Sequence, residues 1–207
     1  DPAAGEQAYR EAHIPGARYA HLDRDLSAAK NGTNGRHPLP GRPAIAATFG
    51  QLGMTRGHQI VAYDQGGGMF ASRLWWMVRY AGHDRVAVLD GGWVKWQGED
   101  RPSQAGTERA TPTTFAPSWR TALLVDAATV ARDVGNPDVT LLDARAAERY
   151  AGSTEPLDPV AGHIPGAVNH PCQTNLLPDG TFDEPDALRQ RLGAVLGTAT
   201  PDQIVSY

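Results

Sequence analysis

One thiol, Cys172, heads the short list of side chains in this chain that could carry covalent chemistry. A lone cysteine becomes a nucleophile when a base stands beside it and an anion cradle lowers its pKa. Cys172 sits in Asn169-His170-Pro171-Cys172 with no glycine loop behind it, so the expectation is a buried structural residue. A loop of the right kind does occur at Asp64-Gln65-Gly66-Gly67-Gly68, but it opens on a carboxylate. Asp before Gly is an ordinary turn residue, and Asp64 is expected to cap its own loop. His13 and His163 are candidate bases, yet each opens the same pentapeptide, His-Ile-Pro-Gly-Ala. Residues repeated so closely are expected to fix the turn before Pro15-Gly16 and Pro165-Gly166.

The repeated pentapeptide marks an internal duplication. A second block follows each copy: Leu52 to Tyr63 matches Leu196 to Tyr207 at a constant offset of 144, with six of twelve positions identical. Asp64 follows the first block, so its counterpart is the residue after Tyr207, where the sequence stops. The strand-like run Val139-Thr140-Leu141-Leu142-Asp143 has its counterpart ahead of Asp1, so both halves are expected to be cut at the chain ends.

The elements that must position these groups follow from local pattern. Ile60 to Tyr63 reads as a strand and Met69 to Tyr80 as a buried helix closed by Gly82. Val86 to Leu89 is a second strand, and Trp93 to Trp96 a short helix stopped by Gly98. Asp126 caps a helix running to about Val134, Val139 to Asp143 is a strand, and Asp183-Glu184-Pro185 opens a helix carrying Leu188, Leu192, Val195 and Leu196. Strands alternating with helices predict an α/β fold with mainly parallel sheets. The expected organisation is a first domain over 1–98, a Pro-, Thr- and Gly-rich connection over 99–118, and a second domain over 119–207.

The chain has 207 residues, 41% hydrophobic and 20% charged, enough for two small cores. No apolar run approaches the ~20 residues of a membrane-spanning helix. The formal net charge of −4, with no basic stripe, argues against a dominant nucleic-acid or acidic-membrane partner. One cysteine excludes an intramolecular disulfide and any multi-cysteine metal site within this sequence, and a reducing, cytoplasmic setting is expected. The aromatic set Trp75, Trp76, Trp93 and Trp96 lies in apolar helical runs and is expected to serve core and interface packing.

The doubled pentapeptide, Leu142-Asp143-Ala144-Arg145 through Glu148-Arg149-Tyr150, and Leu89-Asp90-Gly91-Gly92-Trp93 together resemble the tandem-domain rhodanese family, the thiosulfate and 3-mercaptopyruvate sulfurtransferases. The resemblance implies two tandem rhodanese-like domains, each a mainly parallel sheet flanked by helices. It implies a nucleophilic cysteine immediately after Tyr207, in a loop whose backbone N–H groups and helix N-terminus hold thiolate and then persulfide. Sulfur would pass from a small anionic donor to a thiol or cyanide acceptor in two steps, with no metal or organic cofactor and with the protein as a monomer. Asp64 stands at the corresponding place in the first half and cannot carry a transferable sulfur, so that half is expected to be non-catalytic and to form one wall of a cleft.

By the same resemblance Arg149 receives the donor anion, a task suited to a planar, permanently charged fork. The ordinary alternative is a surface arginine paired with Glu148 or a neighbour. Arg145 is expected to brace backbone carbonyls. His37 and its acidic partner Asp23 are implied in substrate orientation or proton relay, against the alternatives of a solvated loop histidine and a helix cap. The mercaptopyruvate enzymes carry a second arginine after Glu-Pro, whereas this chain has Glu155-Pro156-Leu157, a departure that leans toward thiosulfate. Two rivals remain: a phosphatase of related fold, and a non-catalytic tandem module for binding or sulfur relay.

Overall fold

A computed structural model describes residues 3–207 and divides the chain into two compact units, the first ending at Thr121 and the second running from Ala122 to Tyr207. In the first unit, α1 (Ala4–Glu11), α2 (Leu22–Asp25) and α3 (Arg42–Gln51) precede β1 (Ile60–Ala62), α4 (Ala71–Tyr80), β2 (Val86–Val88) and α5 (Gly92–Gly98). The strands β1 and β2 pair in parallel, Ile60 opposite Val86, with α4 as the crossover between them. That crossover is what an apolar run between two β-branched runs predicts, since parallel neighbours need a long connection. The core gathers Ile45 and Phe49 of α3, Met77, Val78 and Tyr80 of α4, and Val86 of β2.

The segment 99–118, expected as the connection between domains, is laid onto the first unit. Phe115 is buried in its core, packed edge-on to Phe49, and the backbone of Thr113, Ser118 and Arg120 bonds to Gly50, Ala81 and Tyr80. Gly82 explains why the segment fits. Its φ is +82°, the left-handed conformation that ends α4, and a Cβ there would run into the Ser118 carbonyl oxygen. One aromatic anchor and bare backbone along the path hold the strip without any hydrophobic period. The compact unit therefore extends past the expected boundary at residue 98, as far as Thr121.

The tryptophans pack as expected: Trp93 is buried, Trp75 and Trp76 lie against the core, and Trp76 stacks on Tyr80 at 5.2 Å. Trp96 is half-buried at the rim, with Nε1–H donating to the Pro102 carbonyl.

In the second unit, α6 (Ala127–Asp133) is capped by the Asp126 carboxylate, which accepts the Thr129 N–H. The chain then forms β3 (Thr140–Asp143), α7 (Ala147–Tyr150), β4 (Val168–Asn169), α8 (Pro185–Leu196) and β5 (Ile204–Ser206). These strands make one parallel sheet in the order β4-β3-β5, with Leu142 opposite Val168 and Thr140 opposite Ile204. The helix face anticipated at Leu188, Leu192, Val195 and Leu196 is half-buried. No helix among the described residues is long and apolar enough to cross a membrane.

Candidate functional site

The two pentapeptides fold alike. In the first unit the Tyr9 hydroxyl donates to the Ala17 carbonyl, His13 Nδ1–H donates to the Tyr9 carbonyl, and the rings stack at 4.1 Å. In the second, Tyr150 donates to Ala167, His163 Nδ1–H donates to Tyr150, and the rings stack at 3.7 Å. Each turn is then pinned from a strand end: the Ile14 N–H donates to the Tyr63 hydroxyl, and the Ile164 N–H to that of Tyr207. Both histidines are thus occupied in holding the turn. His13 is also covered by the strip at Gln104, which exchanges backbone hydrogen bonds with it.

Asp64 lies at the C-terminal end of β1, and its carboxylate fills the loop it opens. One oxygen accepts the N–H groups of Gly66 and Gly68 at 3.0 and 3.2 Å, and the other accepts those of Phe70 and Ala71 at 2.8 and 3.0 Å. Four converging amides, from the loop and the N-terminus of α4, form an anion nest, and the protein supplies the anion from its own chain.

At the C-terminal ends of β3 and β5 an ionic cluster gathers around Asp143, which is fully buried. Its carboxylate accepts the backbone N–H of Arg145 at 2.9 Å and the Arg145 Nε–H at 3.0 Å, and pairs with Nη2 at 2.5 Å. Burial pushes the Asp143 pKa up, but Arg145 and the Tyr207 hydroxyl outweigh it and hold the carboxyl below its usual value. Tyr207 is moved the other way, since burial and the neighbouring Asp143 favour the neutral phenol. Arg145 also donates to the Gly162 carbonyl at 2.7 Å, which matches its expected bracing role, and its guanidinium lies over the Tyr207 ring.

Arg149, on the last turn of α7, does not pair with Glu148. Its Nε and Nη2 meet both oxygens of Glu155 at 2.9–3.2 Å, and Nη2 donates to Asp158 at 2.7 Å. Nor is it a solvated surface residue, since its side chain is 16% exposed. Glu155 in turn accepts the N–H groups of Leu157 and Asp158. Burial opposes its ionisation, yet Arg149 and these amides hold its pKa down at about 2, against an ordinary 4.5. A carboxyl with a depressed folded-state pKa favours the fold above its unfolded value and loses that contribution as pH falls through the folded one. The second unit is therefore expected to lose stability between about pH 4.5 and pH 2, and Glu155→Gln to flatten that slope in an acid titration followed by circular dichroism.

Glu155 and Asp158 belong to a segment with no counterpart in the first unit. Histidine and tyrosine are thirteen residues apart in the second turn and four apart in the first. Comparing the two spacings reveals a nine-residue insertion from the sequence alone; the acidic residues in it are the partners that reading by motif missed.

His37 and Asp23 are brought together, with Nδ1 3.1 Å from Oδ1. Asp23 is not the cap of α2, because His21 Nδ1 accepts the N–H groups of Asp23 and Arg24. The loop bearing His37 is fixed by Arg73 of α4, which donates to the carbonyls of Leu26, His37 and Pro38. Cys172 departs from expectation: it is exposed, not buried. It opens a short 3-10 turn, where its N–H bonds to the Ala144 carbonyl; the backbone is anchored while the side chain points outward.

The model of the rhodanese-like domain matches residues 3–99. Over its full length the chain is 43% identical to a protein of Pseudomonas aeruginosa named "Probable 3-mercaptopyruvate sulfurtransferase", covering 74% of that protein. It is 33% identical to the thiosulfate sulfurtransferase of Bos taurus, with 87% of this chain and 62% of the bovine one aligned. Among solved structures, SseA of Escherichia coli, described with the rhodanese fold of 3-mercaptopyruvate sulfotransferases, superposes with a TM-score of 0.81 at 28% identity over 97% of this chain and 74% of its own. The chain thus spans about three fifths to three quarters of the length of these relatives. A duplicated pentapeptide turn, a strand-end loop whose amides hold a carboxylate, and whole-length similarity lead to one assignment: the chain belongs to the rhodanese family of sulfurtransferases.

Proposed function

We propose that the protein moves a sulfane sulfur from thiosulfate or 3-mercaptopyruvate to a thiol or cyanide through a persulfide on a cysteine immediately after Tyr207. The observation that carries this reading is the first unit's loop. Asp64 follows Tyr63 as the next residue follows Tyr207, both tyrosines pin the same turn, and the loop opened by Asp64 presents four amides to an anion. A thiolate in such a cradle is stabilised electrostatically and attacks the outer sulfur of the donor. Its electron pair forms the new S–S bond while the donor's S–S bond breaks and sulfite departs, or the donor's C–S bond breaks and the enolate of pyruvate departs, taking up the proton that the mercaptopyruvate thiol gives up. The acceptor then takes the outer sulfur and regenerates the thiolate. The second unit is accordingly read as the catalytic rhodanese-like domain and the first as its non-catalytic tandem partner, with the fold boundary near Thr121.

Arg149 is assigned to the donor anion, and His37, held by Asp23, to orientation of substrate or relay of a proton. Leu157, 54% exposed at the end of Glu155-Pro156-Leu157, offers no second guanidinium for a carboxylate. Initial rates of thiocyanate formation test the assignment. Parallel reciprocal plots are expected for donor and cyanide, and Arg149→Ala is expected to raise the donor KM at least tenfold, about 1.4 kcal/mol of anion binding. Intersecting plots, or an unchanged KM, would contradict the proposal.

A further inference from the structure

The assignment of the donor anion to Arg149 raises a question of charge, and the inference drawn here rests on that assignment. Around the guanidinium stand Arg145 and, as carboxylates, Asp143, Glu155 and Asp158: two positive charges against three negative. A dianion approaching Arg149 therefore meets net repulsion. The donor edges of Arg149 are also mostly taken, because Nε and Nη2 are engaged while Nη1 makes no hydrogen bond among the described residues.

The two carboxylates on Arg149 are held differently. Glu155 is 5% exposed and is fixed on its far side by the N–H groups of Leu157 and Asp158. Asp158 is 36% exposed, and its Oδ2 meets Nη2 of Arg149 at 2.7 Å. The inserted segment that carries it packs little apolar surface at its tip, where Leu157 and Val160 are 54% and 77% exposed. Glycines in the left-handed region, Gly152 and Gly162, stand at its two ends. The Asp158 side chain can leave Nη2 by rotating about its own side-chain bonds, with its backbone N–H still donating to Glu155.

We infer that Asp158 is an exchangeable counter-ion: the donor's anionic group takes its place on Nη2 of Arg149, while Glu155 stays and keeps the guanidinium aimed. Asp158 is then a positioning and specificity residue. It gives Nη2 a second anionic partner beside Glu155 in the resting protein, and it penalises a doubly charged donor more than a singly charged one.

The test is Asp158→Asn in the full-length protein, with thiosulfate as the dianionic donor and 3-mercaptopyruvate as the donor bearing one carboxylate. Repulsion scales with ligand charge, so the KM for thiosulfate is expected to fall about tenfold and that for 3-mercaptopyruvate about threefold. The change falls on KM more than on kcat, and Asp158→Glu restores the wild-type values. Equal shifts for the two donors, no shift, or a rise in both KM values would overturn the inference; a rise would mean that Asp158 merely holds Arg149 in place. Calorimetric titration with thiosulfate reads the same tightening without turnover. A variant that binds thiosulfate more tightly in a protein that transfers no sulfur would uphold the exchange and overturn the proposed reaction instead.

Discussion

Arg145→Ala is expected to destabilise the second unit by about 3–5 kcal/mol, the loss typical when a buried ion pair is deprived of one partner. Asp143 is wholly buried at the end of β3, and without the guanidinium its carboxylate keeps, among the described residues, the backbone N–H of residue 145 and the Tyr207 hydroxyl. The substitution also removes the donor to the Gly162 carbonyl, which ties the inserted segment to the sheet. The same residue pair carries a pH signature. In the wild type the depressed pKa of Asp143 makes ionisation favour folding. In the variant burial is opposed by fewer partners, so protonation relieves the buried charge. The stability gap between the two proteins is therefore expected to shrink as pH falls below the ordinary carboxylate range. Hydrogen exchange at the amides of His170 and Tyr207, which bond to the Asp143 and Leu142 carbonyls, would localise the loss. A gap that widens on acidification would contradict this account.

Asp64→Ala is the second large effect, and it falls on the first unit. The carboxylate satisfies four amides that otherwise point into one small loop, two of them, Phe70 and Ala71, at the start of α4. Its removal is expected to cost about 2 kcal/mol, the upper range for loss of a helix cap, because water replaces the exposed partners but not the ionic attraction to the nest. All five tryptophans lie in the first unit, so fluorescence during urea unfolding follows that unit alone. Vacating the nest should also create a binding site. Millimolar sulfate is expected to restore part of the lost stability in Asp64→Ala and to leave the wild type unchanged, since a ligand stabilises only the state it binds. An equal response in both proteins would show that the loop does not hold anions.

Much of this structure was legible in the sequence where one local rule dominated. The strands of the first unit are an example: the runs Ile60-Val61-Ala62 and Val86-Ala87-Val88 are short, apolar and rich in β-branched residues, and they pair in parallel. The cap at Asp126, the left-handed Gly82 and the duplicated turn were equally readable, because each depends on residues close in sequence. The packed strip over 99–118 was not. Its order comes from Phe115 reaching a core built by α3 and α4 and from carbonyl contacts at Gly50 and Ala81, none of which leaves a periodic trace. Cys172 was misplaced for a related reason: a cysteine's average tendency to be buried says nothing about a 3-10 turn whose backbone is anchored and whose side chain faces solvent. Around Arg149 the motif indicated the arginine, while its true partners lay six and nine residues onward, in the segment that the first unit lacks.

Whether sulfur is carried on the cysteine proposed to follow Tyr207, and not on Cys172, is decided by intact mass and peptide mapping of the full-length protein after exposure to thiosulfate. The expected result is a gain of about 32 Da, removed by cyanide and mapped to the residue following Tyr207, with the same gain in Cys172→Ser. Labile sulfur on Cys172, or no gain with a donor that supports thiocyanate formation, would contradict the proposed carrier.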